Sequence, residues 1–145
     1  GLRKEVPEAM ELSQTACRYL LTIYELGSGL DAVRSVDVSR RLNVAASSVA
    51  HMLGILDREG MIERRRYGRV RLTSAGLRSA NRLYTDRMLL ETYLREHLGV
   101  DGETARLDAD RCLCCLSPAT RERMSEMVLS GTPMPSVLFR RAMCS

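Results

Sequence analysis

The side chains best suited to chemistry in this 145-residue chain are five cysteines, two histidines and a run of arginines. Cys112, Cys114 and Cys115 stand almost side by side, with Cys17 and Cys144 elsewhere. Thiols so grouped suit soft-metal binding, thiol–disulfide exchange or, as small apolar groups, plain burial. Cys112 and Cys115 have Cys-x-x-Cys spacing, a weak redox signal when it falls within a helix. An odd cysteine count without an export signal argues against a structural disulfide framework. Nothing supports catalysis: there is no Ser-His-Asp arrangement, no phosphate-binding glycine loop and no paired general acid and base. No apolar run reaches the roughly 18 residues of a membrane span. The first residues lead into no apolar core of a secretory signal. The expectation is a soluble, cytoplasmic, non-enzymatic protein with no membrane partner.

The arginines are grouped. Eight lie between Arg58 and Arg82, Arg64-Arg65-Arg66 among them, whereas residues 91–110 are acid-rich. A net charge of +4 is modest, so its distribution carries the argument. A basic cluster in an otherwise balanced chain points to a local polyanion site. A solvated face, or a docking face for an acidic protein partner, is the competing reading. A steep fall of affinity with salt favours DNA over the protein partner.

These groups need elements to position them. From Glu8 to Leu26 the residues Leu12, Ala16, Tyr19, Leu20, Ile23 and Leu26 recur with helical spacing, predicting one amphipathic helix. Pro7 suits its start and Gly27-Ser28-Gly29 its end. Residues 36–44 and 45–56 predict a short helix, a tight turn at Asn43-Val44 and a second helix beginning near Ala45. Val38, Leu42, Val49, Leu53 and Leu56 can share one apolar face. This is the layout of a helix-turn-helix, whose second helix enters the major groove. Ser47 and Ser48 fall at its start, where small residues permit close approach to phosphates and bases. His51, one turn on, can reach a base edge or simply be solvated. Arg58-Glu59-Gly60 stops the helix. Residues 61–66 and 69–72 read as two short strands with Tyr67-Gly68 as the turn. Strand alternation sets Arg69 and Arg71 against Val70 and Leu72. A two-stranded ribbon in this place is a wing, and Arg65, Arg66, Arg69 and Arg71 are its candidate phosphate or minor-groove contacts. Thr73-Ser74-Ala75-Gly76 then caps a long helix reaching about Leu98, with His97 suited to the helix dipole at its end. Helices from about Glu103 to Leu116 and from Pro118 to Leu129 follow, and residues 130–135 read as an extended tail. The predicted fold is mostly α: a winged helix-turn-helix over residues 1–76 and a helical dimerisation and effector domain over 77–145.

This order of parts resembles the diphtheria toxin repressor and manganese transport regulator family of metal-dependent transcriptional regulators, in the short form without a third domain. Four stretches carry the resemblance. They are residues 19–26, the turn and helix from Leu42-Asn43-Val44 to Leu56-Asp57-Arg58-Glu59-Gly60, residues 70–76, and Leu89-Leu90-Glu91-Thr92-Tyr93-Leu94 with Leu98-Gly99-Val100. The resemblance implies a homodimer on a palindromic double-stranded operator, acting as a repressor. It implies dimerisation through the C-terminal helices and a base-contacting side chain near His51. It also implies a metal that favours the DNA-competent arrangement.

At the metal the chain departs from the pattern. The family's ligand positions match Arg18 and Leu21 in the first helix, Arg87 and Glu91 in the long helix, and Asp110, Leu113 and Cys114 ahead of Ser117. Arginine is permanently cationic and repels a metal. Two readings follow from the match. In one, Cys17, Asp110 and Cys114, joined by Cys112 or Cys115, form a thiolate site for a transition metal such as zinc. Asp110 and Cys114 would then share one helix face. In the other no metal is needed, and Arg18 pairs with Asp110 in the cation's place. Cysteines that only pack, or that respond to oxidation, are the third possibility.

Overall fold

The computed structural model describes residues 12–131. Pro7, Glu8, the tail beyond Gly131 and Cys144 lie outside the described residues. The chain divides into two compact units, Gly1–Tyr84 and Thr85–Ser145. The division falls within the long helix rather than at its cap.

In the N-terminal unit, helix α1 spans Gln14–Leu26. It does not run on from Glu8 as expected. Ser13 is extended (φ −67°, ψ 163°) and its Oγ accepts the Ala16 N–H at 3.1 Å, a side-chain cap that starts the helix at Gln14. Strand β1 is Val33–Arg34, α2 is Ser35–Leu42 and α3 is Ala46–Arg58. Between α2 and α3, Asn43 takes the left-handed conformation (φ 56°, ψ 52°). The Ser39 hydroxyl donates to the Val44 carbonyl at 2.6 Å, closing the turn. Strands β2 (Ile62–Arg65) and β3 (Arg69–Leu72) form the expected hairpin. The sheet has a third strand, however, in the order β1-β3-β2. Val33 pairs with Val70 and Arg34 with Arg69, so β3 is central and the hairpin is not a free ribbon.

One core joins these elements. Leu20 and Ile23 of α1, Val38 of α2, Val49, Leu53 and Leu56 of α3, and Ile62 and Val70 of the sheet are essentially inaccessible to water. Fully burying such aliphatic side chains contributes about 1.5–3 kcal/mol each. Helix α4 spans Ser74–Glu96 and begins against this core. The Thr73 Oγ1 accepts the Gly76 N–H at 3.1 Å. A Cβ at Gly76 would lie 1.9 Å from the Met61 carbonyl oxygen, so only glycine lets the helix start so close to the hairpin.

The C-terminal unit contains the rest of α4, then α5 (Gly102–Cys112), a 3₁₀ turn (Leu113–Cys115) and α6 (Pro118–Ser130). Asp101 caps α5 by accepting the Thr104 N–H, and Ser117 caps α6 by accepting the Thr120 N–H. The Thr104 bond holds the Asp101 carboxyl below its ordinary range. The helix expected to reach Leu116 ends at Cys112. Leu113 and Cys114 are buried, as are Leu90, Ala105, Ala109 and Met124 of the same unit. Buried Asp86 of α4 is held by α6, with Arg121 Nε at 3.6 Å and the Ser125 hydroxyl donating at 3.3 Å. Among the described residues no helix is long and apolar enough to cross a membrane.

Candidate nucleic-acid interface

The N-terminal half of α3 carries almost no bulk. Ala45, Ala46, Ser47, Ser48, Ala50 and His51 are exposed, and only Val49 points inward. The inward positions Val49, Leu53 and Leu56 fix which face is left outside. Ala45 gives no side-chain cap. Backbone N–H groups at the start of α3 therefore remain open to an anion, on the positive end of the helix dipole. Ser47 and His51 are one turn apart, and Gly54 continues that side of the helix, again without a side chain.

The hairpin arginines divide into two kinds. In the β2–β3 register Ile62 faces Leu72, Glu63 faces Arg71, Arg64 faces Val70 and Arg65 faces Arg69. Arg71 is taken up by its cross-strand partner: its Nε donates to Glu63 Oε2 at 3.0 Å, and a second bond comes from its terminal nitrogen. The same contacts hold the Glu63 carboxyl below its ordinary range. Arg64 pairs with Asp57 at 3.3 Å. Arg65, Arg66 and Arg69 are exposed and make no ion pair with any described residue. Arg65 and Arg69 stand directly opposite one another, a like-charge pair that costs stability until an anion lies between them. Of the four arginines expected to meet phosphate, three are thus available and Arg71 is already neutralised.

Tyr67 at the tip carried no functional expectation in the sequence. It is 88% exposed and has a positive φ of 59°, ahead of Gly68 at 68°. The Arg69 N–H donates to the Arg66 carbonyl at 3.3 Å, and the Ser35 N–H donates to the Gly68 carbonyl at 3.0 Å. The second bond ties the tip to the start of α2. The only sequence signal was an aromatic in a turn position that disfavours one.

The expected metal positions fall in both units. Cys17, buried, and Arg18, exposed, belong to α1 in the N-terminal unit. Asp110 and Cys114 belong to the C-terminal unit and do not share a helix face. Asp110 is exposed near the end of α5, whereas Cys114 lies in the 3₁₀ turn and is buried. Cys112 and Cys115 are exposed, and none of the four described cysteines forms a disulfide. Asp110 is engaged by Arg87, whose Nη1 donates to Oδ1 at 2.9 Å. The Arg87 side chain is only 15% exposed. Within the described residues of either unit, no three His, Cys, Asp or Glu side chains come together as a metal-holding group. A guanidinium and a buried leucine at matched ligand positions do not fit a hard divalent ion, which needs several oxygen or imidazole donors.

Comparison with known proteins agrees with the architecture. Residues 11–70 match the family model described as "Iron dependent repressor, N-terminal DNA binding domain". The chain is 32% identical over 116 residues to the HTH-type transcriptional regulator MntR of Lysinibacillus sphaericus, covering 80% of this chain and 83% of that protein. The crystal structure of T. acidophilum IdeR superposes with a TM-score of 0.63 at 29% identity, over 76% of this chain and 52% of that one. A manganese-dependent transcriptional repressor in complex with manganese gives a TM-score of 0.67 at 25% identity, over 78% of this chain and 52% of that one. The chain thus spans about half the length of these two solved structures.

Proposed function

The chain belongs to the diphtheria toxin repressor and manganese transport regulator family of metal-dependent transcriptional regulators, and we propose that it is a cytoplasmic, homodimeric repressor that binds a palindromic operator without the metal its relatives use. One observation carries the DNA-binding surface. An uncapped recognition helix with an exposed small-residue face and a wing with three unneutralised arginines occur in the same unit. Ser47, Ser48 and His51 read the major groove from the start of α3. Arg65, Arg66 and Arg69 hold phosphates, and Arg71 contributes only when released from Glu63. Backbone contacts set register and base contacts set sequence preference. Two recognition helices, one per protomer, are needed to engage half-sites about one helical turn apart.

Control is proposed to differ from that of the manganese-bound relative. Arg87 supplies the positive charge beside Asp110 that a metal would otherwise bring. The alternative is control by a soft ion such as zinc bound through thiolates, Cys114 among them. It rests on the thiols alone.

The test is a titration of selected operator duplex against salt. The parent protein is expected to bind as two chains per duplex, with log affinity falling linearly in log salt. Each phosphate contact contributes about one unit of slope. Arg65→Ala with Arg69→Ala should lower the slope by about four, two contacts from each of the two chains. Ser47→Ala with His51→Ala should erode sequence preference and leave the slope unchanged. A single chain per duplex at full affinity would remove the dimer. An unchanged slope in the double arginine variant would favour the acidic-protein docking face.

A further inference from the structure

Tyr67 presents a combination the proposed phosphate contacts do not explain. A bulky side chain rarely adopts positive φ, because Cβ crowds the following carbonyl. Glycine or asparagine would serve the turn better. Yet here a tyrosine sits at 59° with almost its whole ring in water. Its backbone is not loose: the turn is closed by Arg69 N–H to Arg66 and tied to α2 by Ser35 N–H to Gly68. The ring is therefore projected from a fixed tip. It is flanked by Arg65, Arg66 and Arg69, none of them ion-paired to a described residue. Strain retained at an exposed position marks a binding residue more often than a packing one.

We propose that Tyr67 is a minor-groove reader, a specificity residue at the wing tip that rests on the wing reading above. The groove is about 6 Å wide and takes a ring edge-on. Its floor carries only acceptors at A·T pairs, adenine N3 and thymine O2, whereas guanine adds an N2 amino group. The phenol O–H donates to those acceptors, and the amino group of a G·C pair blocks the ring. The flanking arginines fit the same choice, since A·T-rich minor grooves are narrow and strongly negative. The wing thus selects A·T pairs in the minor groove, outside the sequence read by α3.

The experiment uses the full chain and the core sequence it selects from a randomised duplex pool. The flanking pairs are set to A·T, G·C or inosine·C, the last lacking the N2 amino group. The parent should prefer A·T over G·C by about tenfold, with inosine·C recovering most of the loss. Tyr67→Asn, which suits the left-handed turn, should keep a melting temperature no lower than the parent and bring the flank preference within about twofold. Tyr67→Phe, which keeps the ring and loses the donor, should fall between. A preference that persists in Tyr67→Asn would assign it to the arginines and overturn the proposal, as would a parent indifferent to the flank. If Tyr67→Asn is silent while Arg65→Ala with Arg69→Ala still lowers the salt slope, the wing reading stands and only the Tyr67 reading falls. If all are silent, both fall.

Discussion

At the scale of single residues, the hairpin separates arginines that hold the protein together from arginines left for a ligand. Arg71 and Glu63 satisfy one another, and with both side chains about 40% exposed the pair adds little to stability. Its larger effect is on recognition, because it withholds a cation from the DNA face and leaves a carboxylate near it. Replacing Glu63 with Gln should release Arg71, tighten DNA binding and steepen the salt dependence by about two units, one per protomer. Salt titration of parent and variant reads this directly, and an unchanged slope would show Arg71 facing away from DNA. The division was within reach of the sequence. Once Tyr67 is the apex, counting outward along the two strands sets Glu63 against Arg71 and Arg65 against Arg69. The reading of one arginine face stopped short because it followed each strand's alternation and not the pairing between strands.

At the scale of elements, α2, the turn and α3 were legible because three independent signals coincide there: helical spacing of apolar residues, an asparagine at the turn (a residue type that tolerates the left-handed conformation Asn43 adopts) and a stop at Gly60. The third strand was not, since two residues, Val33 and Arg34, show no periodicity. The end of α5 was hidden for the opposite reason. Helical spacing continues through Cys112 and Leu113, but burial of both Leu113 and Cys114 draws the backbone into a 3₁₀ turn, which moves Cys114 off the face of Asp110. The start of α4 is the junction most exposed to a single change. Gly76→Ala would set a methyl group into the Met61 carbonyl, and neither backbone can yield without parting the helix from the hairpin. A loss of about 1–3 kcal/mol is expected, or about 4–8 °C in melting temperature per kcal/mol in a unit of this size. Thermal unfolding followed by circular dichroism measures it, and an unshifted transition would mean that this contact is not needed.

At the scale of the whole molecule the question is what switches it. The family couples DNA binding to a bound cation, and a cation acts there as a positive charge that neutralises acidic ligands. A guanidinium can do the same without dissociating, and Arg87 is placed to do so. It is largely shielded from solvent, it contacts Asp110 at 2.9 Å, and a guanidinium is a permanent cation. Nearby, buried Asp86 is neutralised by Arg121 in the same manner. Under the metal-free reading proposed above, Asp110 and Asp86 are already matched by Arg87 and Arg121, and no charge deficit is left there for manganese or iron to fill. Operator binding should therefore be the same in chelator-treated protein as in protein given Mn²⁺. Asp110→Asn should cost about 1 kcal/mol or less of stability, since the carboxylate is the solvent-facing partner, and it should not create a metal requirement. The same titration with Zn²⁺, on reduced parent and on Cys114→Ser, isolates the thiolate alternative. Zinc-enhanced binding that the variant loses would replace the internal-cation account with a soft-metal one. Strong activation of the parent by Mn²⁺ would show that Arg87 moves aside and that the hard-metal site of the relatives survives here in another form.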